Sequence, residues 1–399
     1  MSALAFAVRS LVRQPGRAVL GVAGIAATGA LLFDMLLLSS GLVVSMRGLL
    51  GQVGYDVRVT ATQATPLTGP RITGTHAAVA AIAALPEVEE VTALRVGSAQ
   101  VDVDRGRAAV TIIGATTGRR RPWTLVAGED LPRAAAGGAA TLVVNRNLAR
   151  ALNLSPGANL ALHGSCVEGS RMPPVRFRVG GIVDFPFDQA SELTAAASLG
   201  DFARTCGDDA RDEADMLMIA SRAGHRPDDA AQAIRRIRPD LHSITNEELV
   251  ARFQQVEFSY FRQISVVLAS VTGFFGVLLI AVLLSVSTNQ RLGEIAALRA
   301  LGFSGRRMVT DVLWRSALLV GAGGLVAVPL GLVLSTRLDA ILKRMPGIPA
   351  NLHFFIFEPN TLVRYLVFLV LTTMLAALYP IRMIVRLPIA ATLRDEVIS

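Results

Sequence analysis

Imidazole, thiol and hydroxyl groups are the side chains that most often bind metals or act as nucleophiles, and this chain scatters them. Its histidines form neither an HExxH pattern nor any other spacing typical of a metal site. The fragment HGSC at residues 163–166 places three such groups side by side, but adjacent residues rarely point at one another as a nucleophile and its base must. We therefore predict a loop at HGSC, no metal site, and structural or surface roles for all five histidines, which are His76, His163, His225, His242 and His353.

Nucleotide hydrolysis by this chain alone is also excluded. A phosphate-binding loop of the GxxxxGK[ST] type needs a lysine that reaches the β and γ phosphates. The only lysine is Lys343, in the sequence ILKRMPG, which lacks that pattern. We predict that the chain is not an enzyme by itself and carries no cofactor of its own.

Four apolar segments are long enough, or nearly so, to cross about 30 Å of hydrocarbon. They cover residues 18–44, 264–288, 316–336 and 365–381, in a chain that is 52% hydrophobic. The first is too long, and lacks a small-residue cleavage site behind it, to be a cleaved signal peptide. The sequence therefore predicts an integral membrane protein with a retained first span.

Asp34 is the one ionisable residue inside these four segments. A carboxylate within the hydrocarbon region costs at least a few kcal/mol unless it is paired or hydrated, so it should face protein or an internal cavity. One interpretation is an intramembrane gate that lines a path at a dimer interface. The other is a wetted position near the outer boundary of the span.

The location of the charge decides between nucleic acid and membrane as the reason for a net charge of +8 and a pI of 10.5. Basic and acidic residues balance between residues 46 and 262, so the excess belongs to the membrane part, which argues against nucleic-acid binding. By the positive-inside rule the arginine-rich side is cytoplasmic. That side would hold both termini and the loop after the second span, with Arg9, Arg13, Arg17, Arg291, Arg299, Arg306, Arg307, Arg315, Arg382, Arg386 and Arg394.

The large region after the first span shows a mixed pattern typical of an α+β domain. Alternating runs predict strands at residues 55–60, 100–103, 110–114 and 176–183. Helical runs at residues 76–85, 147–152 and 227–237 lie between them. We expect residues 246–263 to form a helical stalk that continues into the second span, with Thr245 or Asn246 as its cap.

The predicted fold is thus a membrane protein of four transmembrane α-helices, one plus three, with a large extracytoplasmic α+β domain inserted between spans one and two. The predicted divisions are an interfacial amphipathic helix at 1–17, the first span at 18–45, the inserted domain at 46–245, the stalk and second span at 246–288, a cytoplasmic loop at 289–311, the third span at 312–336, a short outer loop at 337–360, the fourth span at 361–381 and a cytoplasmic tail at 382–399.

Cys166 and Cys206 both fall in the inserted domain, where an oxidising compartment would permit a disulfide. The alternative, which we prefer from sequence, is two unpaired small hydrophobic side chains. The fragment GRRRP at residues 118–122 is a basic turn that could meet anionic headgroups, although a solvated loop is the simpler interpretation.

The segment QRLGEIAALRALGF at residues 290–303 resembles the signature that follows the second span in FtsX- and MacB-type permeases of ABC transporters, the family of the LolC and LolE lipoprotein-release subunits. The glycine-rich third span and the ending YPIRMIVRLPIAATLRDE fit the same family. VNRNLARALNLSPGANLAL, followed by FRVGGIVD, is similar to the family's periplasmic core domain. The chain starts at an interfacial helix, so it looks more like the split permeases than like MacB, whose ATPase is fused.

The resemblance implies that residues 290–303 form a coupling helix seated in a groove of a separate ATPase subunit. Arg291 and Glu294 lie one turn apart and can pair, Ile295 and Leu298 offer a small apolar contact, and Gly302 supplies a C-cap. Arg299 is the further candidate for this contact. A plain solvated loop remains the alternative on sequence pattern alone.

The resemblance further implies a bacterial inner-membrane permease that works with a second copy or a paralogue. The ATP and Mg would be bound by the ATPase subunits, and a periplasmic adaptor or outer-membrane component is a further expected partner. Its motion would export or extract a lipid, lipoprotein, peptide or other amphiphile. The alternatives are an FtsX-like regulator of a cell-wall hydrolase without transport, and a membrane-anchored extracytoplasmic sensor or enzyme.

Overall fold

A computed structural model describes residues 15–63, 69–103, 106–132, 140–166, 173–207, 212–255, 259–289, 305–345 and 347–385, together with Arg9. The chain divides into two compact units. The first, here called the helical unit, comprises residues 1–44, 256–342 and 353–399. The second, here called the sheet unit, comprises residues 45–255 and 343–352, so the outer loop after the third span contributes to it.

Four helices of the described residues are long and apolar enough to cross a membrane. Helix α1 covers Pro15–Gln52, α7 Ser259–Asn289, α8 Gly305–Leu342 and α9 Pro359–Val385. The one-plus-three arrangement expected from the sequence is confirmed. The predicted interfacial helix at 1–17 lies almost wholly outside the described residues.

Close packing of small and aromatic residues joins α1 to α8 and α9 inside the helical unit. The rings of Phe33 and Tyr365 meet edge to face, with centroids 5.3 Å apart. A Cβ added at Gly331 would lie 3.0 Å from the ring of Phe33, so a larger residue at this contact would require the ring to shift. Such close approach through glycine is typical of packing between membrane helices.

Helix α7 is covered much less than α1. In their most apolar windows, 11% of the α7 residues are buried inside the chain, against 44% for the first span. Large apolar side chains such as Phe274 and Val267 are exposed along α7. These surfaces suit lipid or another membrane helix as a neighbour.

The sheet unit is built on a mixed sheet with helices of its own. Its described strands are β1 Val57–Thr60, β2 Ile72–Thr73, β3 Val88–Val103, β4 Gly106–Ala115, β5 Thr124–Gly128, β6 Thr141–Asn145, β7 Asn159–Gly164, β8 Val175–Asp184, β9 Thr194–Ser198, β10 Glu213–Ala214, β11 Met216–Ser221 and β12 His242–Thr245. Its helices, besides the end of α1, are α2 Thr75–Ala83, α3 Arg146–Ala151, α4 Leu199–Cys206, α5 Pro227–Ile237 and α6 Asn246–Gln255. The α+β domain is confirmed, and each strand and helix run expected from the sequence lies in an element of its type. Most ends move by a few residues, but the run at residues 100–103 is only the end of the long strand β3, which begins at Val88.

The main sheet runs in the order β12-β1-β11-β3-β4-β9-β6-β8-β5, and β7 pairs with β3 and β8. Most pairs are antiparallel, while β4 with β9 and β6 with β8 are parallel. Strand β1 is flanked by β11 and β12, so both of its edges are hydrogen-bonded. Its four residues are all buried, which places any polar side chain of β1 in the protein interior.

The start of α6 shows how the sequence sets a helix boundary. Thr245 Oγ1 accepts a hydrogen bond from the Glu248 N–H at 3.2 Å, and Glu248 Oε2 accepts one from the Thr245 N–H at 3.1 Å. This reciprocal pair is a capping box, so Thr245, not Asn246, is the cap. The expected continuity from α6 into α7 depends on residues 256–258, which lie outside the described residues.

Candidate functional site: an apolar pocket and two buried ionisable residues

A cavity of about 380 Å³ lies within the sheet unit. It is of the size usual for small-molecule sites, roughly 300–1,000 Å³. Its walls are almost entirely apolar, with a small number of polar groups among them. The lining residues are Met46, Leu50, Val53, Arg58, Leu94, Val96, Thr111, Ile113, Pro122, Phe185, Pro186, Phe187, Asp188, Glu192, Thr194, Met216, Met218, Leu249 and Phe253.

The floor of this pocket is one face of the sheet. Successive side chains of a strand point to opposite faces. Val57 and Val59 of β1 belong to the apolar core on the other face, together with Leu217 and Ile219 of β11. Arg58, which lies between the two valines and opposite Met218, therefore faces the pocket.

The remaining walls come from helices and a loop. The end of α1 contributes Met46 and Leu50, the next residue after it is Val53, and α6 contributes Leu249 and Phe253. Both segments continue along the chain into membrane spans. The connection from β8 to β9 supplies the rest of the lining.

Arg58 is 4% exposed and is the only basic residue in the pocket lining. Its Nη1 donates a hydrogen bond to Asn246 Oδ1. Its Nη2 is buried and has no hydrogen-bond partner among the described residues. Burial lowers the pKa of Arg58 to about 10, against the opposing effect of Asp56, so the guanidinium remains a cation at neutral pH.

Asn246 holds Arg58 in this position. Its Nδ2 donates to the backbone oxygens of Tyr55, at 2.9 Å, and Leu50, at 3.4 Å. One amide side chain thus links the end of α1, the start of α6 and the guanidinium. Its carbonyl oxygen accepts from Nη1, while Nη2 is left without a partner among the described residues.

The two acidic residues of the lining are already satisfied. Asp188 accepts from Thr194 Oγ1 at 2.9 Å and from Asn145 Nδ2 at 2.6 Å. Glu192 accepts from Thr111 Oγ1 at 2.8 Å and from the Gln189 N–H at 3.1 Å. Burial raises the pKa of Asp188 to about 6, although the hydrogen bonds from Asn145 and Thr194 lower it.

The loop between α8 and α9 packs against this acidic wall within the sheet unit. The Ala350 N–H donates to the Asp188 carbonyl oxygen at 2.7 Å, and the Gly347 N–H donates to Gln189 Oε1 at 2.8 Å. A β-bridge also pairs Gln189 with Pro349. From the sequence alone this loop is expected to be only a short connection.

Asp34 lies in the interior of the helical unit, as the cost of an intramembrane carboxylate predicts. It is 1% exposed, and neither carboxylate oxygen has a hydrogen-bond partner among the described residues. A Cβ added at Gly331 would lie 3.5 Å from Asp34 Oδ1, so the backbone of α8 comes close to the carboxylate. The wetted position at the outer boundary is therefore wrong, while the gating role stays a prediction.

The predicted coupling residues cannot be placed. Arg291, Glu294, Ile295, Leu298, Arg299 and Gly302 all fall within residues 290–304, outside the described residues.

Cys166 and Cys206 are joined in a disulfide, so the unpaired interpretation preferred from sequence is wrong. The bond links the residues after β7 to the end of α4. The fragment HGSC is not a loop throughout, because its first two residues end β7. Ser165 Oγ donates to Ser98 Oγ at 3.1 Å.

Three of the five histidines and the arginines of GRRRP have acidic partners. His76 pairs with Asp212, His163 with Asp102, and His353 with Asp339. In GRRRP, Arg119 and Arg120 pair with Glu89, and Arg121 pairs with Asp130, so the turn is an ion-pair cluster of the sheet unit. No group of histidine, cysteine and acidic side chains suited to a metal occurs in the described part of the chain.

The sequence reasoning missed Arg58 and the pocket. The signal was present in the run YDVRVT, where an arginine sits within a strand of valines. It becomes informative only when both edges of that strand are known to be paired, because an edge strand would expose the same arginine to solvent.

Two family profiles match this chain. The profile of the MacB-like periplasmic core domain matches residues 18–237, more than half of the chain. The profile of the FtsX-like permease C-terminal region matches residues 266–389. A search of curated proteins found no match.

Three solved structures are similar to the chain at low identity. The periplasmic region of MacB from Actinobacillus actinomycetemcomitans is 11% identical, with 51% of this chain and 95% of that one covered and a TM-score of 0.39. The extracellular domain of the noncanonic ABC-type transporter YknZ from Gram-positive bacteria is 12% identical, with 48% and 98% covered and a TM-score of 0.35. A domain of a putative permease from Porphyromonas gingivalis is 17% identical, with 48% and 88% covered and a TM-score of 0.31.

The two profile matches follow one another along the chain, with the periplasmic core match over the first span and the inserted domain and the permease match over the last three spans. The resemblance at residues 290–303 is thus part of a match that extends over nearly the whole chain. The chain belongs to the family of FtsX-like ABC transporter permeases with a MacB-like periplasmic core domain.

Proposed function

We propose that this chain is the permease subunit of an ABC transporter in which separate ATPase chains drive conformational change of the sheet unit. The observation that carries the proposal is the joint match to the periplasmic core and to the permease region. The lone Lys343, outside any phosphate-binding pattern, supports a division of labour in which ATP and Mg bind to the partner.

The proposed orientation follows the charge. The arginine-rich termini and the 290–304 loop face the cytoplasm of a bacterial inner membrane, and the sheet unit lies on the opposite side. Residues 290–303 contact the ATPase, with Glu294 and Arg299 as charged members of that contact.

The proposed work is mechanical export or extraction of an amphiphile. Nucleotide-driven movement of the ATPases pushes residues 290–303, and the spans carry this movement to the sheet unit. A second permease copy or a paralogue completes the complex, and exposed apolar residues of α7 such as Phe274 and Val267 offer surface for it.

Asp34 is proposed as a gate residue within this movement. The supporting observation is its burial without a hydrogen-bond partner among the described residues, since such a carboxylate is costly in the described arrangement and favours any other that pairs or hydrates it. A two-state element of this kind is what a switch requires.

Affinity purification of the tagged full chain from its native membrane tests the proposal. We expect an ABC ATPase to co-purify and to hydrolyse ATP in the complex. Glu294→Ala and Arg299→Ala should weaken ATPase association about tenfold, as for central residues of an interface. Arg364→Ala, on the opposite side in the proposed orientation, is the matched control and should leave association unchanged.

Two results would contradict the proposal. One is a purified chain with no nucleotide-hydrolysing partner. The other is full association and activity after both Glu294→Ala and Arg299→Ala. Labelling of residues 290–303 from the outer side would separately refute the orientation.

A further inference from the structure

We infer that the apolar pocket of the sheet unit binds a single-chain amphiphile with a carboxylate head, with Arg58 Nη2 holding the head and the methionine, leucine and phenylalanine lining holding the chain. The inference deepens the proposed function, on which it rests only for the idea that the bound molecule is cargo.

Arg58 is a buried cation with one nitrogen, Nη2, that lacks a hydrogen-bond partner among the described residues. Buried polar groups in proteins are nearly always hydrogen-bonded, and a buried charge without a full set of partners is costly. Only 4% of the Arg58 surface is exposed, yet its Nη2 has no hydrogen-bond partner among the described residues. Arg58 also lies in the wall of the 380 Å³ cavity. A ligand that accepts a hydrogen bond at that nitrogen removes the deficit.

The charge of the ligand's head follows from the surroundings of Arg58. Arg58 forms no ion pair with any described residue, and the carboxylate nearest in effect, Asp56, already accepts from the Ser221 N–H and Oγ. An anionic acceptor gives the stronger, charge-assisted bond. Asn246 accepts from Nη1, so the unsatisfied Nη2 is the nitrogen that an oxygen of a carboxylate would meet.

The acidic residues of the lining disfavour a head of higher charge, such as a phosphate. Asp188 and Glu192 belong to the same lining, and each of their oxygens already has a donor. They have no hydrogen-bonding need that a ligand would meet, and they would repel a phosphate dianion more than a carboxylate.

The apolar part of the lining indicates that the rest of the ligand is a hydrocarbon chain. The rest of the lining offers apolar contact, and Met46, Met216 and Met218 are flexible side chains that adapt to ligands of irregular shape. Phe187, which is 40% exposed at the wall, and Phe253 add aromatic surface. A cavity of this size and lining suits one acyl chain.

The test uses the full chain transferred from detergent into an amphipathic polymer, without ATPase or nucleotide. The probe is a palmitic acid analogue that carries a diazirine on its chain. After photolysis, mass spectrometry of peptides maps the labelled residues. Unlabelled palmitic acid, hexadecanol and lysophosphatidic acid serve as competitors with a carboxylate, a neutral and a phosphate head.

We expect the label on the pocket segments around residues 46–53 and 249–253. Palmitic acid should compete about tenfold more strongly than hexadecanol, because a hydrogen bond to a charged group is worth about one factor of ten or more. Arg58→Met should bring that ratio to about one while leaving some labelling. Arg252→Met removes the same charge from an exposed position of α6 outside the lining, and it should keep the wild-type ratio.

A second variant tests the cavity itself. Met218→Trp fills the pocket floor and should lower labelling severalfold with either head. If this variant does not fold, as judged by circular dichroism and size-exclusion chromatography, Val96→Phe serves the same purpose from β3.

The inference is overturned if the label maps only to the membrane spans, if palmitic acid and hexadecanol compete equally in the wild type, or if Arg58→Met and Arg252→Met behave alike. Stronger competition by lysophosphatidic acid would overturn the assignment of a carboxylate. Since no ATPase is present, failure of the proposed function through loss of an ATPase partner leaves this result unchanged, and the two failures are distinguishable.

Discussion

The sheet unit and the helical unit bury ionisable side chains in different ways. In the sheet unit, Asp188 and Glu192 have donors for both oxygens, and Arg58 has a partner for one nitrogen and a cavity beside the other. In the helical unit, Asp34 has no hydrogen-bond partner among the described residues and lies in a packed core.

This difference separates two meanings of an unsatisfied buried group. Beside a cavity, the group can be satisfied by a ligand without movement of the protein. In a packed core, it can be satisfied only if the helices rearrange or water enters. Within the helical unit, a cavity near Thr28 and Thr372 has a volume of about 20 Å³. Asp34 is not among its lining residues.

Loss of the disulfide should give the largest change, and only in the sheet unit. Cys166 and Cys206 lie 40 residues apart, and the chain-entropy estimate for such a loop is about 4 kcal/mol. The double variant Cys166→Ser, Cys206→Ser should lower the free energy of unfolding by about that amount. In a Trp314→Phe background, the fluorescence of Trp123, the other of the two tryptophans, reports this unit.

The matched measurement uses a Trp123→Phe background, in which Trp314 of α8 reports the helical unit. Its unfolding in sodium dodecyl sulfate should not change in the double variant. An equal loss in both units, or none in the sheet unit, would contradict the assignment.

Replacing the buried carboxylate of the helical unit should have the opposite sign. Asp34→Leu removes an unpaired polar group from an apolar core and should raise the free energy of unfolding by about 1–3 kcal/mol. Leu37→Asp, one turn further along α1 and 1% exposed, is the reverse control and should destabilise. Trp314 fluorescence measures both, and a loss of stability in Asp34→Leu would show that the carboxylate has a partner.

The pH dependence of the sheet unit should reveal Asp188. Because burial raises its folded pKa from 3.8 to about 6, the folded state holds the proton more tightly. The resulting stabilisation is complete below about pH 4 and is lost as the pH rises through about 6, by about 1–3 kcal/mol in total. Trp123 fluorescence, measured across this range, should follow that loss.

Asp188→Asn is the control, because it cannot titrate. Asp102 and Asp240, whose pKa values are lowered by hydrogen bonds from His163 and Arg238 respectively, change stability in the other direction. They are present in both proteins and cancel in the difference. Identical pH profiles for the wild type and Asp188→Asn would contradict the raised pKa.

The smallest effect is expected at Arg58. Arg58→Met loses the bond to Asn246 but also removes the unsatisfied Nη2, so the free energy of unfolding should change by no more than about 1 kcal/mol. The measurement is again Trp123 fluorescence. A loss of several kcal/mol would show that the guanidinium is a structural group with partners of its own.

The sequence was sufficient for features set by local pattern. Span length, the strand of residues 110–114 and the helix of residues 227–237 follow from hydrophobic period and end signals, and the structure places them there. The capping box at Thr245 is equally local, although sequence left Asn246 as an alternative because both residue types cap helices.

The pocket could not be predicted in this way. It depends on β1 lying between β11 and β12, on the register that sets Arg58 opposite Met218, and on residues 343–352 joining a domain that ends almost 90 positions earlier. The disulfide is the same kind of feature, since the approach of Cys166 and Cys206 depends on how β7 and α4 pack on the sheet. These are non-local contacts, and no local pattern encodes them.

The grouping of residues 343–352 with the sheet unit has a mechanical consequence. Through it the chain passes between the two units four times: within α1, before α7, after α8 and before α9. Each of the four spans therefore continues at one end, along the chain, into the sheet unit. Movement of any one span would therefore reach the sheet unit through a direct connection of the chain.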